Sequence, residues 1–206
     1  MCNKESTKFI VVEGIDGAGK DTKIESIISE LKSQGIDKIK VLKFPSETVR
    51  EKLLSGNDIT NDEIKTLLQQ DFINHKSIIE DYKSKGYYVI ANRYVLSMFI
   101  YQYHGKIKEL CGSNNLIINP WIIENIAIPD EIYLLHAPWK TIVETLKQRK
   151  ITDSIESNIS TLEEYYDLYI SIIMKAYKNG VDIKNGGKYH INIRGQHIIL
   201  KVYTRD

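Results

Sequence analysis

Two glycines and a lysine near the start of the chain have the spacing of a loop that binds phosphate. Gly14 and Gly19 enclose four residues and Lys20 follows directly, which gives the pattern G-x-x-x-x-G-K. Glycines let backbone N–H groups turn towards phosphate oxygens, and the lysine supplies a mobile cation for the outer phosphates. The pattern therefore predicts a phosphate-binding loop, with Gly17 and Ala18 inside it. The alternative is a glycine-rich turn with an incidental lysine.

The residue after the lysine departs from this pattern. Ser or Thr usually follows, and its hydroxyl binds Mg²⁺, whereas this chain has Asp21. Thr22 comes next, but it lies about 100° further round a helix and cannot simply replace the missing hydroxyl. Asp21 is therefore either a carboxylate directed at the metal or an ordinary acidic residue in the first turn of a helix.

Strands and helices alternate along the chain and must position this loop. Residues 9–12 are apolar and predict a buried strand before the loop, and apolar residues at helical spacing predict a helix over 20–31 after it. Further strands are predicted at residues 38–44, 87–91, 132–135 and 189–193. Asn61 or Asp62 is predicted to cap a long helix that continues to residue 85. The alternation indicates an α/β fold in a single domain over 1–206, with a five-stranded parallel sheet flanked by helices.

Composition limits the class of protein. The 206 residues include 28 basic and 27 acidic side chains, so the net charge of +1 indicates neither a nucleic-acid surface nor a membrane surface. Cys2 and Cys111 are too few for a disulfide framework and lack the spacing of a metal site. No signal peptide is recognised, and no apolar run approaches the ~18 residues of a membrane span. We therefore expect a cytoplasmic protein with free thiols.

Residues 9–22 read F-I-V-V-E-G-I-D-G-A-G-K-D-T, with Glu13 and Asp16 beside the glycines of the loop. This stretch resembles the F-I-V-x-E-G-x-D-G-x-G-K start of the thymidylate kinase family of nucleoside monophosphate kinases, and generic phosphate loops do not share Glu13 and Asp16. Residues 91–102 are similar to its D-R-Y-x-x-S…Y-Q signature. Three further elements match in order: Phe44-Pro45 for F-P, Pro129-Asp130 before a strand, and a D-x-x-E element at 153–156. The resemblance extends roughly over residues 8–177.

The resemblance implies a P-loop NTPase fold with a short lid at about residues 147–160. It implies that ATP donates its γ-phosphoryl group, with Mg²⁺, to the 5′-phosphate of dTMP, and that the protein forms a homodimer through helix faces. Lys20 would bind the outer phosphates of ATP and Arg93 the acceptor phosphate. Asp16 would face the deoxyribose hydroxyl or a metal-bound water. Arg149, in the lid, would supply the transition-state cation, although cations at a helix C-terminus can also be merely stabilising.

The remaining binding residues follow from the same matches. The resemblance implies that ATP is bound by the loop and the start of its helix: Gly14, Gly17, Ala18, Gly19, Lys20, Asp21 and Thr22. It implies that the acceptor is bound by Asp16, Phe44, Arg50, Phe72, Arg93, Tyr94, Ser97, Met98 and Gln102. Among these, Tyr94 would pack under the sugar and disfavour a 2′-hydroxyl. Phe72 stands where the family has an arginine, so it is either a platform for the base or part of the core.

A second departure concerns the metal. Asn92 stands where the family usually has Asp, the carboxylate that organises Mg²⁺ and the acceptor. Together with Asp21 it can be interpreted as an exchange, because one carboxylate and one neutral oxygen ligand flank the metal in both arrangements. Mg²⁺ requires only one or two carboxylates besides phosphates and water. We therefore assign Asp21 and Asn92 as metal-directed residues that act through Mg-ATP.

Three alternatives remain open at this point. The acceptor could be another deoxynucleoside monophosphate, or several, because the expected base-binding residues are altered. The chain could be a nucleotide-binding module that has lost catalysis, given the changes at Asp21 and Asn92. It could also be a phosphate-loop protein that acts on an unrelated acceptor.

Overall fold

The computed structural model describes residues 7–55, 59–103, 124–148, 159–178, 188–193 and 196–204. Within these ranges the strands are β1 (Phe9–Glu13), β2 (Ile39–Lys43), β3 (Tyr88–Asn92), β4 (Glu131–His136), β5 (Lys188–Ile193) and β6 (Gln196–Thr204). The helices are α1 (Lys20–Ser33), α2 (Glu47–Leu54), α3 (Asn61–Ser84), α4 (Val95–Tyr103), α5 (Trp139–Gln148) and α6 (Ile159–Lys178). None of the described helices combines the length and apolar character needed to cross a bilayer.

The strands form one sheet in the order β2-β3-β1-β4-β6-β5. The first five strands of this order run parallel, which confirms the predicted α/β sheet of five parallel strands. The predicted segment at 189–193 is not the fifth of them, because β5 pairs antiparallel with β6 at the sheet edge. Only two residues separate β5 from β6, and a parallel pair would need a crossover of a dozen residues or more.

The central strand β1 is buried along its whole length because helices cover both faces of the sheet. Phe9 and Val11 lie on one face, in a cluster with residues of α3. Ile10 and Val12 lie on the other face, in a cluster with residues of α1. The apolar residues of β1 therefore anchor the strand from both sides, which fixes the loop that follows it.

The chain leaves β1 and β3 in opposite directions across the sheet. From β1 it passes through α1 to β2 at one side, and from β3 it passes to β4 at the other. Adjacent parallel strands whose connections diverge leave a crevice at their carboxyl ends, where α/β proteins bind ligands. Val12 pairs with Asn92 at this end. The phosphate loop and the Asn92-Arg93 segment thus open into the same crevice.

The long helix α3 begins one residue earlier than its predicted capping residues suggest. Thr60, rather than residue 61 or 62, is the N-cap, and its side chain accepts a hydrogen bond from the backbone N–H of Glu63. The Glu63 side chain accepts in return from the backbone N–H of Thr60 at 2.8 Å. This reciprocal capping box satisfies two N–H groups that a helix start otherwise leaves open.

Candidate active site

The loop between β1 and α1 approaches neighbouring backbone too closely for side chains at two of its positions. Gly14 has φ 147°, and a Cβ there would lie 2.8 Å from the carbonyl oxygen of Leu135. Gly17 has φ 85°, and its Cβ would lie 3.1 Å from the carbonyl oxygen of Ile142. Glycine is therefore required at both positions by backbone conformation and by space. The first turn of α1 has no side-chain cap. The free N–H groups of this turn face the loop. A phosphate bound at a helix start accepts hydrogen bonds from such groups.

Lys20 is folded back over this loop. Its Nζ donates to the carbonyl oxygens of Gly14 and Ile15, each at 3.0 Å, and lies 3.4 Å from Oδ1 of Asp16. Only 7% of the side chain is exposed. Burial, together with the nearby Arg93 cation, lowers the pKa of Lys20 to about 8. The ammonium is thus held at the loop by two neutral oxygens and one carboxylate.

Asp16 is the carboxylate that joins the two cationic side chains of the site. The Arg93 guanidinium donates from Nη2 to Asp16 Oδ1, the oxygen that Lys20 also approaches. The Tyr101 hydroxyl donates to the other oxygen, Oδ2, at 3.1 Å. Burial alone would raise the pKa of Asp16, but Lys20 and Arg93 together hold it below its usual range. Asp16 is therefore ionised at neutral pH and binds the phosphate loop to the segment after β3.

Arg93 adopts a backbone conformation that is rare for a side chain of its size. Its φ is 68°, in the left-handed region, and its backbone N–H donates to the carbonyl of Val12 at 2.9 Å. Its guanidinium carbon lies 5.0 Å from the centre of the Tyr101 ring. A strained residue persists only where its surroundings determine its conformation, and such residues cluster at functional sites. The turn directs the Arg93 side chain across the crevice to the phosphate loop.

Asp21 and Asn92, the two departures from the family pattern, contact one another. The Asn92 side-chain amide donates to Asp21 Oδ1 at 2.8 Å. The other amide atom, Asn92 Oδ1, is buried and has no hydrogen-bond partner in the described part of the chain. An amide oxygen with an open lone pair beside a carboxylate is a donor set that suits Mg²⁺. The described residues contain no cluster of three or more His, Cys, Asp or Glu that could hold a metal, so these two would need phosphate oxygens as further ligands.

The predicted acceptor residues of aromatic or aliphatic type lie together in one apolar cluster. Phe72 stacks on Phe44 with ring centres 5.1 Å apart, and the edge of Tyr94 meets both rings at 5.0 Å. Each of these rings is at most 4% exposed, and Met98 is 6% exposed. The Tyr94 hydroxyl donates to the carbonyl of Ala127 at 3.0 Å. The rings thus form a packed wall between α3 and β3.

The segment after β2 is held to α3 by a buried carboxylate. Asp71 is 5% exposed, and its Oδ2 accepts from the backbone N–H of Ser46 at 2.8 Å. His75, one turn along α3, donates from Nδ1 to the Asp71 carbonyl oxygen at 2.7 Å, and its ring meets the Phe44 ring edge-on at 4.7 Å. The Asp71 carboxylate, whose Oδ1 lies 3.3 Å from the same Nδ1, raises the pKa of His75. These contacts fix the start of α2, which carries the exposed Arg50.

The other predicted site residues lie in different environments, some buried, some exposed and some outside the described residues. Ser97 is 5% exposed and turns into the interior, where its hydroxyl contacts Glu13 and Tyr169. Thr22 is exposed in the first turn of α1. Arg149 and residues 149–158 of the predicted lid lie outside the described residues, as does the side chain of Gln102, although its backbone belongs to α4.

Two tyrosines of the site were missed by the sequence analysis. Tyr101 donates to Asp16, and its place in the Y-Q part of the matched signature could have indicated it. Tyr169 on α6 lies 3.0 Å from the Ser97 hydroxyl. It is 72 residues away in sequence from its partner, so no local pattern could have revealed it.

Comparison with known proteins gives a consistent family. A sequence model of the family described as thymidylate kinase matches residues 12–188. The chain is 30% identical over 172 residues to a probable thymidylate kinase of Caldivirga maquilingensis, covering 79% of this chain and 78% of that protein. It is 30% identical over 164 residues to a probable thymidylate kinase of Methanococcus vannielii, covering 78% and 77% of the two chains. It is 27% identical over 179 residues to a thymidylate kinase of Thermosipho africanus, covering 82% of each chain.

Proposed function

Because this chain belongs to the thymidylate kinase family, we propose that it transfers the γ-phosphoryl group of ATP to the 5′-phosphate of dTMP. Thymidylate kinases are nucleoside monophosphate kinases, a class of phosphotransferase. The products are ADP and dTDP. An oxygen of the acceptor phosphate forms the new bond to the γ-phosphorus, and the bond from that phosphorus to the β-bridging oxygen breaks.

One observation carries the proposal: Lys20 and Arg93 contact the same carboxylate, Asp16. One cation belongs to the loop that would bind the donor phosphates, and the other belongs to the turn that would bind the acceptor phosphate. Phosphoryl transfer depends mostly on positioning and on neutralising charge between two phosphates. Two cations that converge on one point of the crevice meet that requirement.

The chain's own groups have separable tasks in this reaction. Lys20 binds the β- and γ-phosphates of ATP, together with the backbone N–H groups of the loop and of the first turn of α1. Arg93 binds two oxygens of the acceptor phosphate, because a guanidinium presents paired donors. Asp16 keeps Lys20 and Arg93 in place before the phosphates bind and then faces the deoxyribose hydroxyl or a metal-bound water. No general base is required, because a phosphate monoester has lost most of its second proton at neutral pH (pKa about 6).

Asp21 and Asn92 would hold the Mg²⁺ that accompanies ATP. When bound, this ion neutralises charge on the β- and γ-phosphates. The contact between the two side chains and the open oxygen of Asn92 support the assignment. An Asp21→Ser variant should need about tenfold more Mg²⁺ for half-maximal protection against thermal unfolding by ATP. A thermal melt at fixed ATP and rising Mg²⁺ measures this protection, and an unchanged requirement would contradict the role of Asp21.

The base of the acceptor would lie against the apolar wall of Phe44, Phe72, Tyr94 and Met98. The rings cover one another, which favours an edge contact or a small opening of the wall over stacking on a free ring face. Arg50 on α2 would approach the acceptor from the opposite side. Gln102 on α4 is the proposed polar contact, whereas the Ser97 hydroxyl is directed at Glu13 and Tyr169 and so supports Arg93 rather than the base. In the lid, Arg149 would supply the transition-state cation as the lid closes and excludes water.

We also propose where in the cell the protein acts and how its chains assemble. ATP and deoxynucleotides are pools of the cytoplasm, and we place the protein there. A homodimer through helix faces is supported by the resemblance to the family and by exposed apolar side chains on two helices. Leu54 on α2 is 53% exposed and Ile78 on α3 is 39% exposed. Sedimentation equilibrium of the purified protein tests the dimer.

The test of the function is ADP formation from ATP and Mg²⁺ with each deoxynucleoside monophosphate in turn. We expect turnover with dTMP, and about a thousandfold less in the Lys20→Ala control. Turnover with a different monophosphate alone would keep the reaction but reassign the base. No turnover with any acceptor, while ATP still raises the melting temperature of the wild-type protein, would contradict the proposed function and favour a binding module.

A further inference from the structure

Glu13, the last residue of β1, is a buried carboxylate that phosphate binding does not explain. It is 1% exposed and lies on the interior side of the loop. Its Oε1 accepts from the backbone N–H groups of Tyr94 at 2.8 Å and Ser97 at 3.2 Å. Its Oε2 accepts from the Ser97 hydroxyl. The carboxylate thus binds the first turn of α4, which begins two residues after Arg93.

The partners that directly hydrogen-bond this carboxylate are all neutral among the described residues. Burial therefore raises the pKa of Glu13, while Ser97 and the charge of Arg93 act in the opposite direction. A buried carboxylate without a paired cation is costly, and an amide or a hydroxyl could accept from the same backbone N–H groups. Its charge interacts with two cations of the site, Arg93 and Lys20, and of these Arg93 belongs to the turn that Glu13 holds. This points to a role that involves the arginine.

The Arg93 turn is fixed on both sides by β1. Before the turn, the Arg93 N–H donates to the carbonyl of Val12. After the turn, Glu13 holds the N–H groups of Tyr94 and Ser97. The Ser97 hydroxyl that donates to Glu13 also lies 3.4 Å from Nη1 of Arg93, as an acceptor. Adjacent residues of one strand therefore hold both the strained backbone of Arg93 and one end of its guanidinium.

We propose that Glu13 is the positioning residue for Arg93, which it holds in the left-handed turn that directs the guanidinium at the acceptor phosphate. The inference rests on the proposed function in one respect, the identification of the acceptor phosphate as the ligand of Arg93. Glu13 itself does not contact the substrate. Its effect on the reaction is transmitted through the start of α4 and through Ser97.

The first experiment separates acceptor binding from donor binding. In a Glu13→Gln variant the KM for dTMP should rise about tenfold, because one of the hydrogen bonds to the α4 turn and the charge are lost. The KM for ATP should change by less than about twofold, because Lys20 and the loop backbone remain. An equal rise of both KM values would overturn the proposal, since general damage to β1 would affect both ends of the site.

A double-mutant cycle tests whether the effect passes through Arg93. When Arg93 is already replaced by Ala, adding Glu13→Gln should raise the KM for dTMP by less than about twofold, because interacting positions are not additive. If the tenfold effect persists in the Arg93→Ala background, Glu13 acts independently of the arginine and the proposal is wrong.

Glu131, the first residue of β4, offers a matched control at the opposite end of the parallel strands. It is also a buried glutamate, 5% exposed, but it is paired with Lys8 and Lys201, each at 2.6 Å. Glu131→Gln should lower the melting temperature and leave the KM for dTMP unchanged. If it raises this KM as much as Glu13→Gln does, the effect is one of stability and the proposal fails.

A crystal structure of the Glu13→Gln variant tests the inference without any substrate. We expect Arg93 to leave the left-handed region or to lose its hydrogen bond to Asp16. An unchanged Arg93 would overturn the inference even if the wild-type enzyme phosphorylates dTMP. Conversely, a displaced Arg93 would support it even if dTMP proves not to be the acceptor.

Discussion

The phosphate end and the base end of this site are built by different physical means. At the phosphate end, Lys20 and Arg93 meet on Asp16, and glycine backbone replaces side chains. At the base end, Phe44 and Phe72 stack within an apolar cluster that is also part of the core. Side chains at the first end can be removed with little loss of packing. At the base end, the side chains that would bind the acceptor also pack the core.

This difference predicts that variants at the two ends will differ in the property that they reduce. Changes at the phosphate end should reduce rates while leaving the fold intact. Changes at the base end should reduce stability and acceptor affinity together.

Lys20→Ala should reduce kcat/KM for ATP by about a thousandfold, because it removes a cation directed at the transferred group. Its melting temperature should stay the same or rise, since the wild-type ammonium is buried at a cost. Steady-state kinetics and a thermal melt measure the two quantities. Lys23→Ala, on the same helix, is the control and should retain activity. A Lys20→Ala protein that melts much earlier would contradict the division.

Phe72→Ala should lower the free energy of unfolding by about 3–5 kcal/mol, because a fully packed ring leaves a cavity. We expect the KM for dTMP to rise and the KM for ATP to stay near its wild-type value. Urea denaturation gives the first quantity. Phe72→Leu, which keeps most of the volume, should cost about 1.5 kcal/mol or less and keeps the experiment interpretable if the alanine variant does not fold. A Phe72→Ala protein of normal stability would show that the ring is not core.

The pH dependence of ATP binding should report Lys20. Its pKa of about 8 in the free enzyme means that the ammonium is lost as the pH rises through this value. The KM for ATP should therefore rise about fivefold between pH 8 and pH 9. The KM for dTMP should change less, because arginine stays protonated. A flat profile for ATP across this range would show that Lys20 remains charged.

His75 should produce the smallest effect, at the base end. Its pKa is raised in the folded protein, chiefly by its hydrogen bond to Asp71. The corresponding stabilisation is complete below the unfolded pKa of about 6.5 and is lost as the pH rises through the higher folded value. We expect this contribution to the free energy of unfolding to be about 1 kcal/mol or less, because the ring is partly exposed to solvent. Unfolding curves at several pH values measure it, and His75→Gln should remove the dependence.

The sequence predicted the phosphate end far better than the base end. The loop is encoded locally by Gly14, Gly19 and Lys20, so its spacing indicates its structure. The predicted sheet of five parallel strands and the family resemblance are confirmed. In these features, the residue types within short stretches of the chain are enough to indicate the local structure.

The failures have two causes: long-range packing in one case and an unrecognised local alternation in the other. Whether Phe72 belongs to the core depends on Phe44, which lies on a different element, so helical spacing alone could not decide it. The strand β6 was missed although Ile198, Leu200 and Val202 alternate with less buried residues, a pattern typical of a strand. Its two-residue separation from β5 would have predicted the antiparallel edge.

The hydrogen bonds of Glu13 bear on the order in which the chain folds. Lys20 contacts the Gly14 carbonyl across six residues, whereas Glu13 reaches Tyr94 across 81 residues, and Ser97 reaches Tyr169 across a further 72. Contacts between distant parts of a chain carry a larger entropic cost and tend to form later. The Lys20 contact and α1 could therefore form early, but the loop also packs against Leu135 and Ile142, so the complete site must wait for β4 as well as for α4 and α6. Pulse-labelled hydrogen exchange should show α1 protected before the backbone N–H groups of Tyr94 and Ser97.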